Sequence, residues 1–130
     1  LSIENLIIDL GITDKVIFKE FSENPYPLIK NAELLILSSD SEGFGNVLVE
    51  SLMLDTMIVS VNCSGGPYEI MIDELSQYLS PIGDEDLLAI NIKKAILNPI
   101  KISEKFFKRF ESKVVYQEFL KLIPIKENKC

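Results

Sequence analysis

Residues 33–51 read "ELLILSSDSEGFGNVLVES". The stretch opens on four consecutive aliphatic residues, Leu34 to Leu37, the pattern of a strand buried on both faces in a parallel sheet. It passes through two serines, an aspartate and a turn holding Gly43 and Gly45. It ends in "NVLVES", whose apolar spacing predicts a helix entered through that turn. A strand, a glycine turn and a helix in this order form the first half of a βαβ crossover. The next apolar run, "TMIVSVN" at 56–62, supplies the second strand.

Outward from this unit the same alternation continues. "KVIFKEF" (15–21) reads as an earlier strand rich in β-branched and aromatic residues. "ENPYPLIKNA" (23–32) reads as a turn entering a short helix, with proline suited to the first helical turn. A first helix is predicted near the start, where Leu6, Ile7 and Leu10 share a face and Gly11 is a stop signal. "CSGGPYEIM" (63–71) is a second glycine turn leading to a short helix, and "QYLSPI" (77–82) a fourth strand. "DEDLLAINIKKAIL" (84–97) is an amphipathic helix with acids in its first turn and lysines later. From Ser103, read as its cap, a long closing helix is expected over "SEKFFKRFESKVVYQEFLKLI" (103–123). The fold class is therefore α/β, a parallel-sheet, Rossmann-like domain of three layers over residues 1–123, with 124–130 as a tail. The first residue is not methionine and few strands are visible, so the chain is expected to be a piece of a longer protein, with further strands upstream.

Bulk properties narrow the function. The 130 residues carry a net charge of −7 and are 47% apolar. A nucleic-acid surface needs clustered Lys and Arg, and the late lysines here are interleaved with acids. No apolar run reaches the about 18 residues of a membrane span. With no histidine, neither a zinc-type cluster nor a Ser–His or Cys–His pair can be assembled from this chain. Cys63 and Cys130 are read as free thiols in a reducing, cytoplasmic setting.

In open parallel sheets, ligands gather beyond the carboxyl ends of the strands. Two glycine-bearing loops leave such ends here, Asp40–Gly45 and Cys63–Glu69, and each enters a helix. Gly43 and Gly45 permit backbone angles other residues resist and admit a ligand close to the main chain. The following helix, with Asn46 as its expected cap, offers free N–H groups to a phosphate. Glu50 stands among Val47, Leu48, Val49, Leu52, Met53 and Leu54. A carboxylate in such company needs a partner, and it can accept from two vicinal hydroxyls, such as those of a ribose. The same residue on a half-exposed helix could simply face solvent.

Glu42 and Glu50 together, in "EGFGNVLVE", resemble the E-x7-E motif of retaining glycosyltransferases of family 4, which have two facing Rossmann-like domains (GT-B type). "NPYPLIKNAELLILSSDSEGFGNVLVESL", "TMIVSVNCSGGPYEI" and "FESKVVYQEFLKL" are similar, in order, to that family's pattern. The resemblance implies the C-terminal, donor-binding domain of such an enzyme. It implies that Glu42 contacts hydroxyls of the donor sugar as the catalytic carboxylate. The amides of Phe44, Gly45, Asn46 and Val47, following Gly43, would meet sugar and diphosphate, and Glu50 would hold the ribose. By the same analogy the loop Phe21–Glu23, with Ser22 at its centre, borders the base. Gly65 and Gly66 shape the wall beside the sugar, with Glu69 structural. The substrate implied is a nucleotide-diphosphate sugar, UDP-sugar before GDP-sugar, with no cofactor and no metal. The acceptor, a glycan or lipid-linked intermediate, would sit on an N-terminal domain, and the full-length protein would be cytoplasmic, peripheral to the inner face of the membrane. The family's basic diphosphate clamp lies upstream and has no counterpart in these residues, so this chain alone is expected to be inactive. Asp55-Thr56-Met57 stands where the family often has Gly-Thr-Pro; aspartate tolerates the left-handed position that glycine usually fills. Two other classes fit less of the pattern: a receiver-like module with Asp40 as phosphoacceptor, and a nucleotide-sensing domain without activity.

Overall fold

A computed structural model describes residues 2–115 and 117. The sheet has three parallel strands in the order β1-β2-β3: β1 is Leu34–Leu37, β2 is Met57–Val61 and β3 is Leu79–Ser80. Leu34 to Leu37 pair with Met57 to Ser60, and Ser60 and Val61 pair with Leu79 and Ser80. All five residues of β2 are buried. Because strand side chains alternate between faces, this requires cover on both sides. The cover comes from α3 (Asn46–Met53) and α5 (Glu85–Leu97), both packed on β2, which makes the arrangement three-layered. The core joins Leu48 and Leu52 of α3, Ile58 and Val59 of β2, and Ile70, Leu75, Tyr78 and Phe106 from the connections.

Helix termini follow their local chemistry. The Asp84 carboxylate accepts from the Leu87 amide at 2.9 Å and caps α5. At the end of α3, the Thr56 amide donates to the Ser51 carbonyl at 2.9 Å and the Asp55 amide to that of Leu52 at 3.1 Å. That is a Schellman closure, with Asp55 at φ 64° in the position expected from the sequence. The buried Thr56 hydroxyl donates to the Ile29 carbonyl at 2.9 Å. It thereby ties the end of α3 to α2 (Tyr26–Lys30). Asp55→Val is expected to cost about 1–2 kcal/mol, the penalty of a branched side chain in the left-handed region, whereas Asp55→Gly is neutral or mildly stabilising. Urea midpoints of the three proteins check this.

Four expectations are corrected. Residues 15–21 are not a strand: Thr13–Lys15 form a 3₁₀ turn, and Val16 is extended without a ladder partner among the described residues. Ile17, Phe18 and Phe21 are exposed. Strand propensity has no effect on its own; it acts only where the chain pairs with a sheet edge, and among the described residues this segment pairs with none. The fourth predicted strand exists only as the two residues of β3, because Asp73–Tyr78 wind into 3₁₀ turns that bury Leu75 and Tyr78. The closing helix does not start at Ser103, which makes no side-chain cap: Glu104–Phe106 and Lys108–Phe110 form 3₁₀ turns, and α-helix begins only at Ser112. Here tertiary anchors outweigh helix propensity: Phe106 is buried in the core and Lys105 pairs with Glu74 at 2.7 Å. That hydrogen-bonded pair holds the Glu74 carboxyl below the usual carboxylate range. Finally, α3 begins at Asn46, so its cap is Gly45 rather than Asn46. The first helix, α1 (Ile3–Asp9), forms as expected and ends at Gly11, with φ 64°. Residues 116 and 118–123 of the predicted closing helix, the tail and Cys130 lie outside the described residues.

Candidate functional site

Both glycine loops leave the carboxyl ends of neighbouring strands, and they are stitched together. The Glu42 amide donates to the Ser64 carbonyl at 3.1 Å, the Ser64 hydroxyl lies 3.5 Å from that of Ser41, and Ser41 and Ser64 form a parallel bridge beyond the named strands. Behind the bridge the backbones touch. A methyl group added at Gly65 would lie 1.9 Å from the Glu42 carbonyl oxygen, and one at Gly66 would lie 1.7 Å from that of Phe44. The Gly65-Gly66 pair is therefore demanded by contact with the first loop. Whatever wall it presents to a ligand is set by that contact.

Gly45 has φ 79° and is buried, with Leu48, Leu37 and Ile70 around its α-carbon. Its left-handed turn swings the chain from the loop into α3 and leaves the first amides of the helix without a side-chain cap. Gly43 differs from the expectation. Its backbone does not need glycine, and an added methyl group there would meet nothing within 4 Å. Gly43 and Asn46 are exposed, Phe44 and Val47 half-buried. The mouth of the loop is thus open while its root is packed.

The two glutamates lie on this frame. Both are half-buried, and the ion pairs among the described residues, Lys105–Glu74 and Lys108–Glu104, involve neither of them. Glu50 faces a cavity of 230 Å³ that it shares with Tyr26, Met53 and Leu54. Its helix is less enclosed than the sequence implied, since Met53 is 57% exposed. Tyr26 was not singled out by its sequence. It begins the helix fed by the Ser22 loop, and that loop is itself exposed, with the Ser22 hydroxyl accepting from the Asn24 amide at 3.3 Å. Among the described residues Ser22 makes no hydrogen bond to either glycine loop; it leads into α2. The Glu69 side chain is exposed, and its structural part is played by its carbonyl, which accepts from Arg109. Asp40 is exposed beside Ser38, Asp84 and Glu85 at a separate 150 Å³ cavity. Among the described residues no group of three or more Asp, Glu or Cys side chains is placed to hold a metal ion. No helix there is long and apolar enough to cross a membrane.

Comparison with known proteins bears on this arrangement. Over 111 residues the chain is 30% identical to the N-acetylgalactosamine-N,N'-diacetylbacillosaminyl-diphospho-undecaprenol 4-alpha-N-acetylgalactosaminyltransferase of Campylobacter jejuni, covering 78% of this chain and 30% of that protein. It is 30% identical over 95 residues to the lipopolysaccharide core biosynthesis glycosyltransferase LpsE of Rhizobium meliloti, covering 73% and 28% respectively. The chain thus spans less than a third of the length of these relatives. The crystal structure of TarM superposes on 92% of the chain with a TM-score of 0.74 at 17% identity, which shows the fold alone. The profile of the "Glycosyl transferases group 1" family matches residues 1–113, so the chain belongs to that family.

Proposed function

We propose that this chain is the donor-binding part of a retaining glycosyltransferase that uses a nucleotide-diphosphate sugar, UDP-sugar in preference to GDP-sugar. The observation that carries this reading is Glu50: a half-buried carboxylate without a cation partner among the described residues, opening into a cavity four residues along from an uncapped helix end. Four residues of helix rise about 6 Å, close to the separation of a ribose from the diphosphate it carries. The amides of Phe44, Gly45, Asn46 and Val47 then meet the diphosphate, Glu50 the ribose hydroxyls and Glu42 the sugar. The base lies toward the Ser22 loop, and Gly65 and Gly66 back the sugar. In the reaction the bond from the anomeric carbon to the phosphate oxygen breaks while the acceptor hydroxyl bonds to the same face of that carbon. The departing phosphate takes the acceptor's proton. The helix-end amides offset the charge that develops on the leaving group. The acceptor is a glycan or lipid-linked glycan held by a further domain of the full-length protein, which works at the cytoplasmic face of the membrane. The isolated chain transfers no sugar.

Glu50→Gln keeps the shape and one acceptor oxygen but removes the charge. Hydrogen bonds to charged groups are worth about 1.5–3 kcal/mol, so nucleotide affinity of the full-length protein is expected to fall by roughly ten- to a hundredfold. Stability without ligand should hold or rise, because an unpaired carboxylate is a cost to the empty protein. Calorimetry against UDP, GDP and ADP, with melts of both proteins, checks this. A mutant that melts far lower yet keeps the full ligand-induced shift makes Glu50 a scaffold residue, and nucleotide binding without transfer by the full-length protein favours a sensing domain.

A further inference from the structure

Residues 104–110 close over the two glycine loops from behind, and each loop is held by a different side chain of this strap. The Phe110 ring meets Phe44 edge to face, with centroids 5.4 Å apart and planes at 74°. The Arg109 guanidinium donates to the Glu69 carbonyl and, at 3.3 Å, to that of Ile70, both in α4 (Pro67–Ile70) just after Gly66. Arg109 also lies 4.6 Å over the Phe110 ring, so the two anchors are coupled. The strap is fixed at its start by buried Phe106 and the Lys105–Glu74 pair. Phe44 is consequently gripped on two sides, by a ring on its side chain and by the Gly66 backbone on its carbonyl.

Such a grip is an expensive way to fill a core. Arg109 Nε is buried without an acceptor among the described residues, a deficit that folded proteins seldom leave without a compensating use. The residues held in place are Phe44 and, through Gly45, the amides that open α3. We infer that Arg109 and Phe110 are positioning residues: they set where the Phe44–Val47 amides stand, and with them the reactivity of the donor site. The inference rests on the donor reading above for its catalytic consequence, but the positioning itself does not. A displacement of about 1 Å at a reacting group can cost roughly a hundredfold in rate, and an edge-to-face ring pair is a directional contact that an aliphatic side chain of similar volume does not reproduce.

The test compares Phe110→Leu, which keeps apolar volume, with Phe110→Tyr, which keeps the ring, in the full-length protein. Phe110→Leu is expected to produce microsecond-to-millisecond relaxation dispersion at the Gly45, Asn46 and Val47 amides, absent in wild type and in Phe110→Tyr, while α5 stays quiet. Arg109→Met is expected to give dispersion at the same amides. With donor and acceptor, Phe110→Leu should lower kcat by about a hundredfold per folded molecule with little change in the donor KM, and Phe110→Tyr should restore it. Flat dispersion at those amides in both Phe110→Leu and Arg109→Met overturns the inference whatever the activity. A full-length protein that neither binds UDP, GDP or ADP nor transfers sugar overturns the donor reading instead, and the dispersion still decides the strap.

Discussion

Gly66→Ala is expected to remove most of the domain's stability. At Gly66 the backbone has φ 108°, and the new methyl carbon would fall 1.7 Å from the Phe44 carbonyl oxygen. No rotamer relieves such an overlap, because both partners are main chain. Either the second loop moves off the first, opening the Ser41–Ser64 bridge, or the strand ends separate. The unfavourable φ alone costs about 1–2 kcal/mol, and the forced separation adds packing losses, for a total of about 4 kcal/mol or more, in the tail of point-mutant effects. Urea unfolding followed by circular dichroism should show a large fall in midpoint, or no folding transition at all. Gly43→Ala, on the open side of the first loop, is the control and should change stability little. Equal midpoints for Gly66→Ala and wild type would show that the loops are not in contact.

Glu42→Ala has the opposite signature. Glu42 is half-buried and has no cation partner among the described residues, so its loss should leave stability within about 0.5 kcal/mol. If its carboxylate contacts the donor sugar as proposed, turnover of the full-length enzyme should fall by on the order of 10² to 10³, the range for losing one well-placed polar contact in a transition state. Affinity for free UDP, which carries no sugar, should change little. Parallel losses in turnover and UDP affinity would move Glu42 out of the sugar site.

The parts of this fold that could be read from sequence are those whose cause is local. Leu34–Leu37 and Met57–Val61 announced strands because aliphatic residues dominate them, but only β2 is buried throughout: β1 stands at the sheet edge with Ile36 exposed. Asp55 was assigned its left-handed position because the family it resembles often has glycine there, and aspartate accepts the same backbone. The acids at the start of α5 were read from sequence, though Asp84, counted there within the helix, stands before it as the cap. What failed depended on partners elsewhere in space. "KVIFKEF" has the composition of a strand but no edge beside it. Phe106, Arg109 and Phe110 sit in a helix-forming sequence, yet each is pinned to a different neighbour, and the chain gives up helical hydrogen bonds to satisfy all three. The same holds at the site. Gly45 was legible from its place between loop and helix. The demand for glycine at 65 and 66 comes from carbonyls more than 20 residues away, and Gly43 was credited with a backbone role it does not have. Arg109 was passed over among late lysines interleaved with acids; its signal was the aromatic company of Phe106, Phe107 and Phe110.

The order of the sheet matters for how the domain comes into being. Its strands follow one another in space as they do in the chain, so during synthesis each new strand meets a neighbour already made, and both glycine loops exist once β3 has left the ribosome. The strap is the exception. Phe110 and Arg109 emerge more than 40 residues after the Gly65-Gly66 turn they secure, so the loops spend that interval assembled but unlocked. A nascent chain halted between residues 80 and 103 would carry every glutamate and glycine of the proposed donor site and still lack the latch.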